Sequence, residues 1–299
     1  MAHLRPLFSK IVVVLFEKVM IHDHLELKIR QQISIFADMS LIKANHKELM
    51  FSKTSIVLSV VLGVLVICSL SVFVIYPAAK KYYVNHRSYK VYGGMTDELK
   101  ESEFYEDMQS GKSFCFLGDS ITSGSVTEGI PWYQPLTPYI TGTVSNFSHG
   151  GWTVNNLIDE ADSIPEADIY VIAIGINDIL FPEDEYSCQT AKEFAAECKE
   201  LGEILTTRSP DTKIYFILPW SFTEADNSFV ERGNKFRSAL AQTCIAKGYG
   251  YINPDPAIQS VIADEGSAKY MFNDFHPNAP EGVGLFSYAV LKDAHERSL

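Results

Sequence analysis

The chain has 299 residues, 46% hydrophobic and 21% charged, with a formal net charge of -12; this excludes a disordered chain and allows one α/β domain with extra segments, or two small domains. The first 54 residues hold eight Lys/Arg and five Asp/Glu, which leaves a net -15 on the remainder. So acidic a body repels phosphate backbones, and no basic stripe with interleaved aromatics offsets it, which argues against nucleic acid as a partner.

Residues 1–54 are the least legible segment. Ile11–Phe16 is apolar but too short to span a bilayer, and Leu4 to Leu41 mixes apolar and charged residues at loosely helical spacing, as in an amphipathic helix on a membrane or a partner. Met50 offers an alternative start, with Lys53 as a short basic head before an apolar run, in the manner of a signal-anchor. Ser55–Tyr76 carries no charge; its 22 residues reach about 33 Å as a helix, enough for a ~30 Å hydrocarbon core. Tyr76, Tyr82 and Tyr83, with Lys80 and Lys81, supply interfacial residues after it. The expectation is one transmembrane helix over 55–77, a membrane-proximal linker over 78–112 and a catalytic-sized domain over 113–299. Basic residues on the two flanks of the span are nearly balanced and lean slightly against an outside position for the large domain.

From Ser113 onward, strand-like apolar runs alternate with helical patterns. Strands are predicted at Ser113–Leu117, Thr143–Phe147, Ile169–Ile174, Ile214–Leu218 and Tyr249–Ile252. Helices are predicted near Asp97–Met108, Trp132–Ile140, Val154–Ala161, Cys188–Thr207, Phe229–Lys247 and Gly282–Arg297. Strands alternating with helices over short loops imply an α/β fold with a parallel sheet between two helical layers. The five cysteines, Cys68, Cys115, Cys188, Cys198 and Cys244, form no CxxC pair and no metal-type spacing. Cys188 and Cys198 have the option of pairing, but free thiols on or beside one helix fit them better.

Four segments follow strands or precede the last helix: Gly118-Asp119-Ser120, Asn146 through Thr153, Gly175-Ile176-Asn177-Asp178, and Asn273-Asp274-Phe275-His276-Pro277. A parallel sheet brings such segments to one edge, its carboxyl edge. Together they supply a hydroxyl nucleophile, glycines for close backbone approach, an amide donor and a histidine with a carboxylate nearby, the parts that acyl transfer needs. Taken alone, Phe114–Gly124 is also a plain strand-to-helix turn with Ser120 as N-cap. His149 reads as a pocket-lining or solvated residue, Asp119 as a loop-holding one, and Trp132, Trp152 and Trp220 as a sugar cleft or as core. No GxxxxGK[ST] run is present, and no ligand spacing supports a metal, so neither cofactor nor metal is expected.

These motifs resemble the SGNH (GDSL-type) hydrolases, over about Ser113 to the C-terminus. The resemblance implies a flavodoxin-like three-layer α/β/α sandwich, with Ser120 as nucleophile and His276 as base. The N-x-x-x-x-G-x-T block matches Asn146 to Thr153 and makes Gly151 an oxyanion donor, joined by Asn177 of G-x-N-D and the N–H of Ser120. The family places its triad Asp three residues before the His. Here Asn273 stands there and Asp274 is two before, a spacing similar to that of some alginate-type O-acetyltransferases. Asp274 is taken as the acid, with Asn273 or a backbone carbonyl as the alternative support for the ring. The implied activity is esterase action on O-acyl, above all O-acetyl, groups of a carbohydrate. The alternatives are an O-acetyltransferase with a membrane partner protein, and an inactive glycan-binding protein. Anchored enzymes of this kind act on envelope or extracellular glycans, which favours a domain outside the membrane.

Overall fold

The apolar runs read as strands join in one parallel sheet. The computed structural model describes Leu62, Gly63, residues 89–221 and residues 227–299. The chain divides into units Met1–Val74 and Ile75–Leu299, and the sheet with all its flanking helices belongs to the second. The proposed span at Ser55–Tyr76, apart from Leu62 and Gly63, and the segment 1–54 lie outside the described residues. Among the described residues no helix is long and apolar enough to cross a membrane.

The strands are β1 (Phe114–Gly118), β2 (Val144–Ser148), β3 (Ile169–Ala173), β4 (Lys213–Ile217) and β5 (Gly250–Ile252). They lie in the order β2-β1-β3-β4-β5, all parallel. Every residue of β1 and β3 is buried, because both faces of a central parallel strand are covered, so these strands are written as unbroken apolar runs. β2 is an edge strand, exposed or half-buried throughout. Its Ser145, Asn146 and Ser148 give that edge the polar character that discourages edge-to-edge pairing. After β2 the chain crosses to the other side of β1. The order therefore reverses between β1 and β3, and open α/β sheets form their crevices at such a reversal, beyond the strand carboxyl ends.

The helices are α1 (Glu103–Gln109), α2 (Ser120–Ser123), α3 (Val154–Asp159), α4 (Ile176–Leu180), α5 (Ala191–Arg208), α6 (Asn227–Lys247), α7 (Asp255–Glu265) and α8 (Glu281–Glu296). Seven of them fall into two groups. α5 packs on α3 and α6, and α6 on α4; α8 packs on α1 and α7; α2 lies against β1 and β2. The two groups enclose the buried central strands, as a three-layer α/β/α arrangement requires. α5 begins with a capping box in which Thr190 and Glu193 bond each other's backbone N–H. α2, α4 and α7 are helices that the apolar pattern of the sequence does not predict. The segment predicted as a helix at Trp132–Ile140 is instead a 3-10 helix, Gln134–Tyr139. Pro135 and Pro138 cannot supply the N–H groups of an α-helical ladder.

Gly118 ends β1 where no side chain fits. A Cβ there stands 2.3 Å from the carbonyl oxygen of Ala173 and 2.5 Å from Thr122 Oγ1. Gly118→Ala therefore separates β1 from β3 or displaces α2, and lowers stability by about 1–3 kcal/mol. Urea denaturation checks this, and an unchanged midpoint contradicts it.

Candidate active site

The turn after β1 places the first functional side chain. Asp119 is the N-cap of α2, with extended backbone (φ -105, ψ -152), and its Oδ1 accepts the N–H of Ile121 at 3.0 Å. Asp119, not Ser120, is thus the cap, and Ser120 becomes the first helical residue with its hydroxyl free for other work. Ser120 Oγ lies 2.7 Å from His276 Nε2, across 156 residues of sequence. Both side chains are largely buried, each 8% exposed.

His276 sits in a tight loop closed by a bridge between Met271 and Pro277 and by the N–H of Phe272 on the His276 carbonyl at 2.9 Å. Within it, Asn273 Oδ1 accepts the N–H of His276 at 2.8 Å and that of Phe275 at 3.2 Å. Two backbone donors on one oxygen identify that atom as Oδ1. The same oxygen is 3.2 Å from His276 Nδ1, and Asn273 Nδ2 is 3.1 Å from it. If Nε2 is to accept the Ser120 proton, Nδ1 carries the hydrogen and donates it to Oδ1. The structure brings to Nδ1 Asn273, the alternative that the sequence reading keeps open beside Asp274. The turn explains this, since it folds the side chain of residue 273 back over the backbone N–H groups of 275 and 276. Burial lowers the pKa of His276 below the ordinary imidazole value, which favours the neutral ring a general base needs.

The second strand end brings two glycines. A Cβ on Gly150 stands 3.9 Å from Ser120 Cβ and 3.3 Å from Ser125 Oγ, so Gly150 is the close neighbour of the serine. Gly151, named from the sequence, has φ +84 and open space around it. It supplies the left-handed turn that carries the chain past Ser120. The third strand end brings Asn177, in the first turn of α4 and 5% exposed. Its Nδ2 donates to the Trp152 carbonyl at 2.8 Å, which sets the amide orientation and leaves a second N–H on the same nitrogen. The loop after α4 is held by Arg232 of α6, whose guanidinium donates to the carbonyls of Asp178, Cys188 and Gln189. Ser120, His276, Asn177 and the glycine segment thus lie on neighbouring elements. The place of Gly150 beside the serine is a site feature that the sequence reading does not name, its signal being the first glycine of the pair; the ring contact of Asn273 is the alternative that reading leaves open beside Asp274.

Two further carboxylates lie beneath the site. Burial pushes the pKa of Asp119 up to about 7 and that of Asp178 up to about 6. Asp178 Oδ1 accepts the Cys188 N–H at 3.0 Å, while its Oδ2 has no hydrogen-bond partner among the described residues. A carboxyl with a folded-state pKa above its unfolded value of about 3.9 stabilises fully below that value, and the benefit is lost as pH rises through the folded pKa. Asp119→Asn keeps the cap oxygen and removes the titration. Near pH 4 the variant matches the parent; by pH 8 it is the more stable, with a gap of up to roughly 4 kcal/mol. Thermal melts across that range read the gap, and a gap that does not change with pH contradicts the assignment.

Of the three tryptophans, Trp132 and Trp220 are core. They are 0% and 3% exposed, and their rings meet at 5.8 Å. Trp132 Nε1 donates to Thr122 Oγ1 at 3.2 Å, so this ring backs α2 and does not line a cleft. Trp152 alone is half-exposed, beside Phe147 and His149. Cys115, Cys188, Cys198 and Cys244 are free and buried. Among the described residues no group of three or more His, Cys, Asp or Glu is placed to hold a metal ion.

The sequence profile of the GDSL-like lipase/acylhydrolase family matches residues 116–280, just over half of the chain. The chain belongs to this family. No curated protein matches it. Solved structures with the same fold include a candidate GDSL-like lipase from Parabacteroides merdae ATCC 43184, 16% identical, covering 62% of this chain and 96% of that one, with a TM-score of 0.54. Another is Axe2, an acetylxylan esterase from Geobacillus stearothermophilus, 20% identical, covering 63% of this chain and 96% of that one, with a TM-score of 0.52. Catalytic variants of Axe2 are substituted at a serine, an aspartate and a histidine, the aspartate three residues before the histidine. In this GDSL-family chain the segments from β1 to the His276 loop fall within the matched region.

Proposed function

We propose that the protein is a serine esterase that removes O-acyl groups, chiefly acetyl, from a carbohydrate. The observation that carries this reading is the 2.7 Å contact between Ser120 Oγ and His276 Nε2 at the carboxyl edge of the sheet, where the family profile also matches. In the proposed reaction His276 Nε2 takes the Ser120 proton as Oγ attacks the ester carbonyl carbon. The carbonyl oxygen becomes an oxyanion received by the N–H groups of Ser120 and Gly151 and the second N–H of Asn177. Collapse breaks the bond to the alcohol, which leaves with the proton from Nε2. Water, deprotonated in turn by His276, attacks the acyl-enzyme; collapse breaks the acyl–Oγ bond, Nε2 returns the proton to Ser120 Oγ, and the carboxylic acid leaves. Asn273 takes the place beside the ring that the acid would hold: Axe2 has an aspartate three residues before its histidine, and this chain has an asparagine.

The sugar preference rests on exposed aromatic surface beside the site. Phe181 follows α4, Tyr186 accepts hydrogen bonds from Thr153 and Asn155, and Phe272 lies in the His276 loop; they are 54%, 43% and 65% exposed. Flat apolar rings in the loop that follows Asn177 and in the loop that carries His276 suit the faces of sugar rings. The Axe2 likeness supports the same class of substrate. We further propose that Ser55–Tyr76 anchors the domain on the outer side of a membrane. The Asp-x-His spacing lends weight to an O-acetyltransferase if Asp274 serves the ring; the contact of Asn273 with His276 Nδ1 favours the esterase reading instead.

The test is turnover of p-nitrophenyl acetate and of an acetylated oligosaccharide by the full chain in detergent, with an unacetylated oligosaccharide added in a second arm. Free acetate unaffected by the added sugar supports the esterase. Acetyl appearing on the added sugar replaces it with the transferase. No turnover and no labelling by a fluorophosphonate leave a glycan-binding protein.

A further inference from the structure

His149 reads from the sequence as a solvated or pocket-lining residue, and the proposed reaction does not use it. Its ring nevertheless makes a specific contact: Nδ1 lies 3.0 Å from the carbonyl oxygen of Gly150. A carbonyl oxygen only accepts, so Nδ1 bears the hydrogen in this bond. That carbonyl belongs to the peptide unit whose other end is the N–H of Gly151. In a trans peptide the two groups point in opposite directions, so holding the oxygen on one side aims the N–H to the other.

The peptide unit is one that needs holding. It joins two glycines, and Gly151 has φ +84, a value a glycine exchanges for a negative one at little cost. Rotation of this plane reverses the N–H while leaving the chain on either side in place. Both sides are anchored: the N–H of His149 donates to the Gly118 carbonyl at 3.2 Å, and that of Trp152 to the His149 carbonyl at 3.3 Å. The Trp152 carbonyl in turn accepts Asn177 Nδ2 at 2.8 Å. The His149 ring is itself steadied beside Trp152, with centroids 5.5 Å apart and planes 30° apart. The Cβ position of Gly150 stands 3.9 Å from Ser120 Cβ, so this peptide lies beside the nucleophilic residue.

We propose that His149 is a positioning residue that locks the Gly150–Gly151 peptide with its N–H turned toward Ser120 Oγ. This rests on the esterase reading, in which the Gly151 N–H receives the oxyanion. The Nδ1–H bond also polarises the peptide, so that its N–H becomes a better donor as charge develops on the substrate oxygen. The bond is solvent-exposed in the free protein, and bound substrate that excludes water strengthens it.

The test compares His149→Ala and His149→Asn with the parent, all as full chain, on an acetyl ester. Asn carries a donor nitrogen as many bonds from the backbone as Nδ1, so it restores the hydrogen bond without the imidazole. Outright loss of an oxyanion donor costs about 100- to 1000-fold in kcat, and loss of its alignment alone costs roughly 10- to 100-fold. The expected result is that fall in kcat for His149→Ala, KM within about twofold of the parent, and most of the rate recovered in His149→Asn. An unchanged kcat in His149→Ala, a rise confined to KM, or an asparagine variant as slow as the alanine variant overturns the inference while leaving the esterase standing. A parent that neither turns over ester nor labels with a fluorophosphonate overturns both.

Discussion

Asn273→Asp raises kcat/KM for an acetyl ester by on the order of tenfold or more near pH 8, and shifts the acid limb of its pH profile upward. In the productive tautomer His276 Nδ1–H faces Asn273 Oδ1 at 3.2 Å, with the donor Nδ2 at 3.1 Å crowding the same hydrogen. Aspartate has the same shape. Its first oxygen keeps the bonds from the N–H groups of Phe275 and His276, and its second replaces the competing donor with an acceptor. The imidazolium formed as Ser120 attacks then faces a negative charge, where a triad acid contributes up to about 10,000-fold. The pH shift has a definite sign. Burial holds His276 below its ordinary pKa, so the parent loses activity only below about pH 6.5. A carboxylate beside the ring favours its charged form and lifts that pKa, so the variant loses activity at a higher pH. Steady-state kinetics from pH 5 to 9 read both effects. A variant slower than the parent at every pH, or an acid limb that does not move, contradicts this role for residue 273.

Ser120→Ala lowers kcat by on the order of 10,000- to 1,000,000-fold, the range seen when a nucleophile acting as one unit with its base is removed. The fold survives, because the cap of α2 comes from Asp119 and its bond to the Ile121 N–H, and alanine is a good helix former at the position that follows. Near-ultraviolet circular dichroism and the thermal midpoint stay at parent values while turnover vanishes. His276→Ala falls with it, and the double variant is no slower than either single one, because the two groups do one job. An alanine variant that keeps a tenth of the parent rate contradicts the assignment of the nucleophile.

The sheet is legible in the sequence because β1 and β3 are buried on both faces, and such strands are written as unbroken apolar runs. The placing of Ser120 and Asn177 follows from the same logic, since both stand just past those strands. Other features are set by tertiary contacts that leave little trace in sequence. α2 and α4 are four and five residues long, too short for periodicity to show; α2 is held by the Asp119 cap and by β1 and β2, α4 by packing on α6. Trp132 and Trp220 carry the composition of a sugar cleft but fill the space behind α2. The turn brings Asn273, the alternative ring support beside Asp274, to 3.2 Å from His276 Nδ1, a contact that charge and spacing alone do not decide. The approach of Gly150 to Ser120 depends on where β2's end comes to lie, a distance that no spacing rule supplies.

The central claim is that Ser120 carries the acyl group in transit. The most direct measurement is intact and peptide mass spectrometry of the full chain quenched in acid within the first turnovers of p-nitrophenyl acetate. The account predicts a mass gain of one acetyl group on the peptide that contains Ser120, absent from Ser120→Ala and lost as turnover completes. Ester cleavage with no acetyl on that peptide, or the same acetylated peptide in a slowly reacting alanine variant, would contradict it.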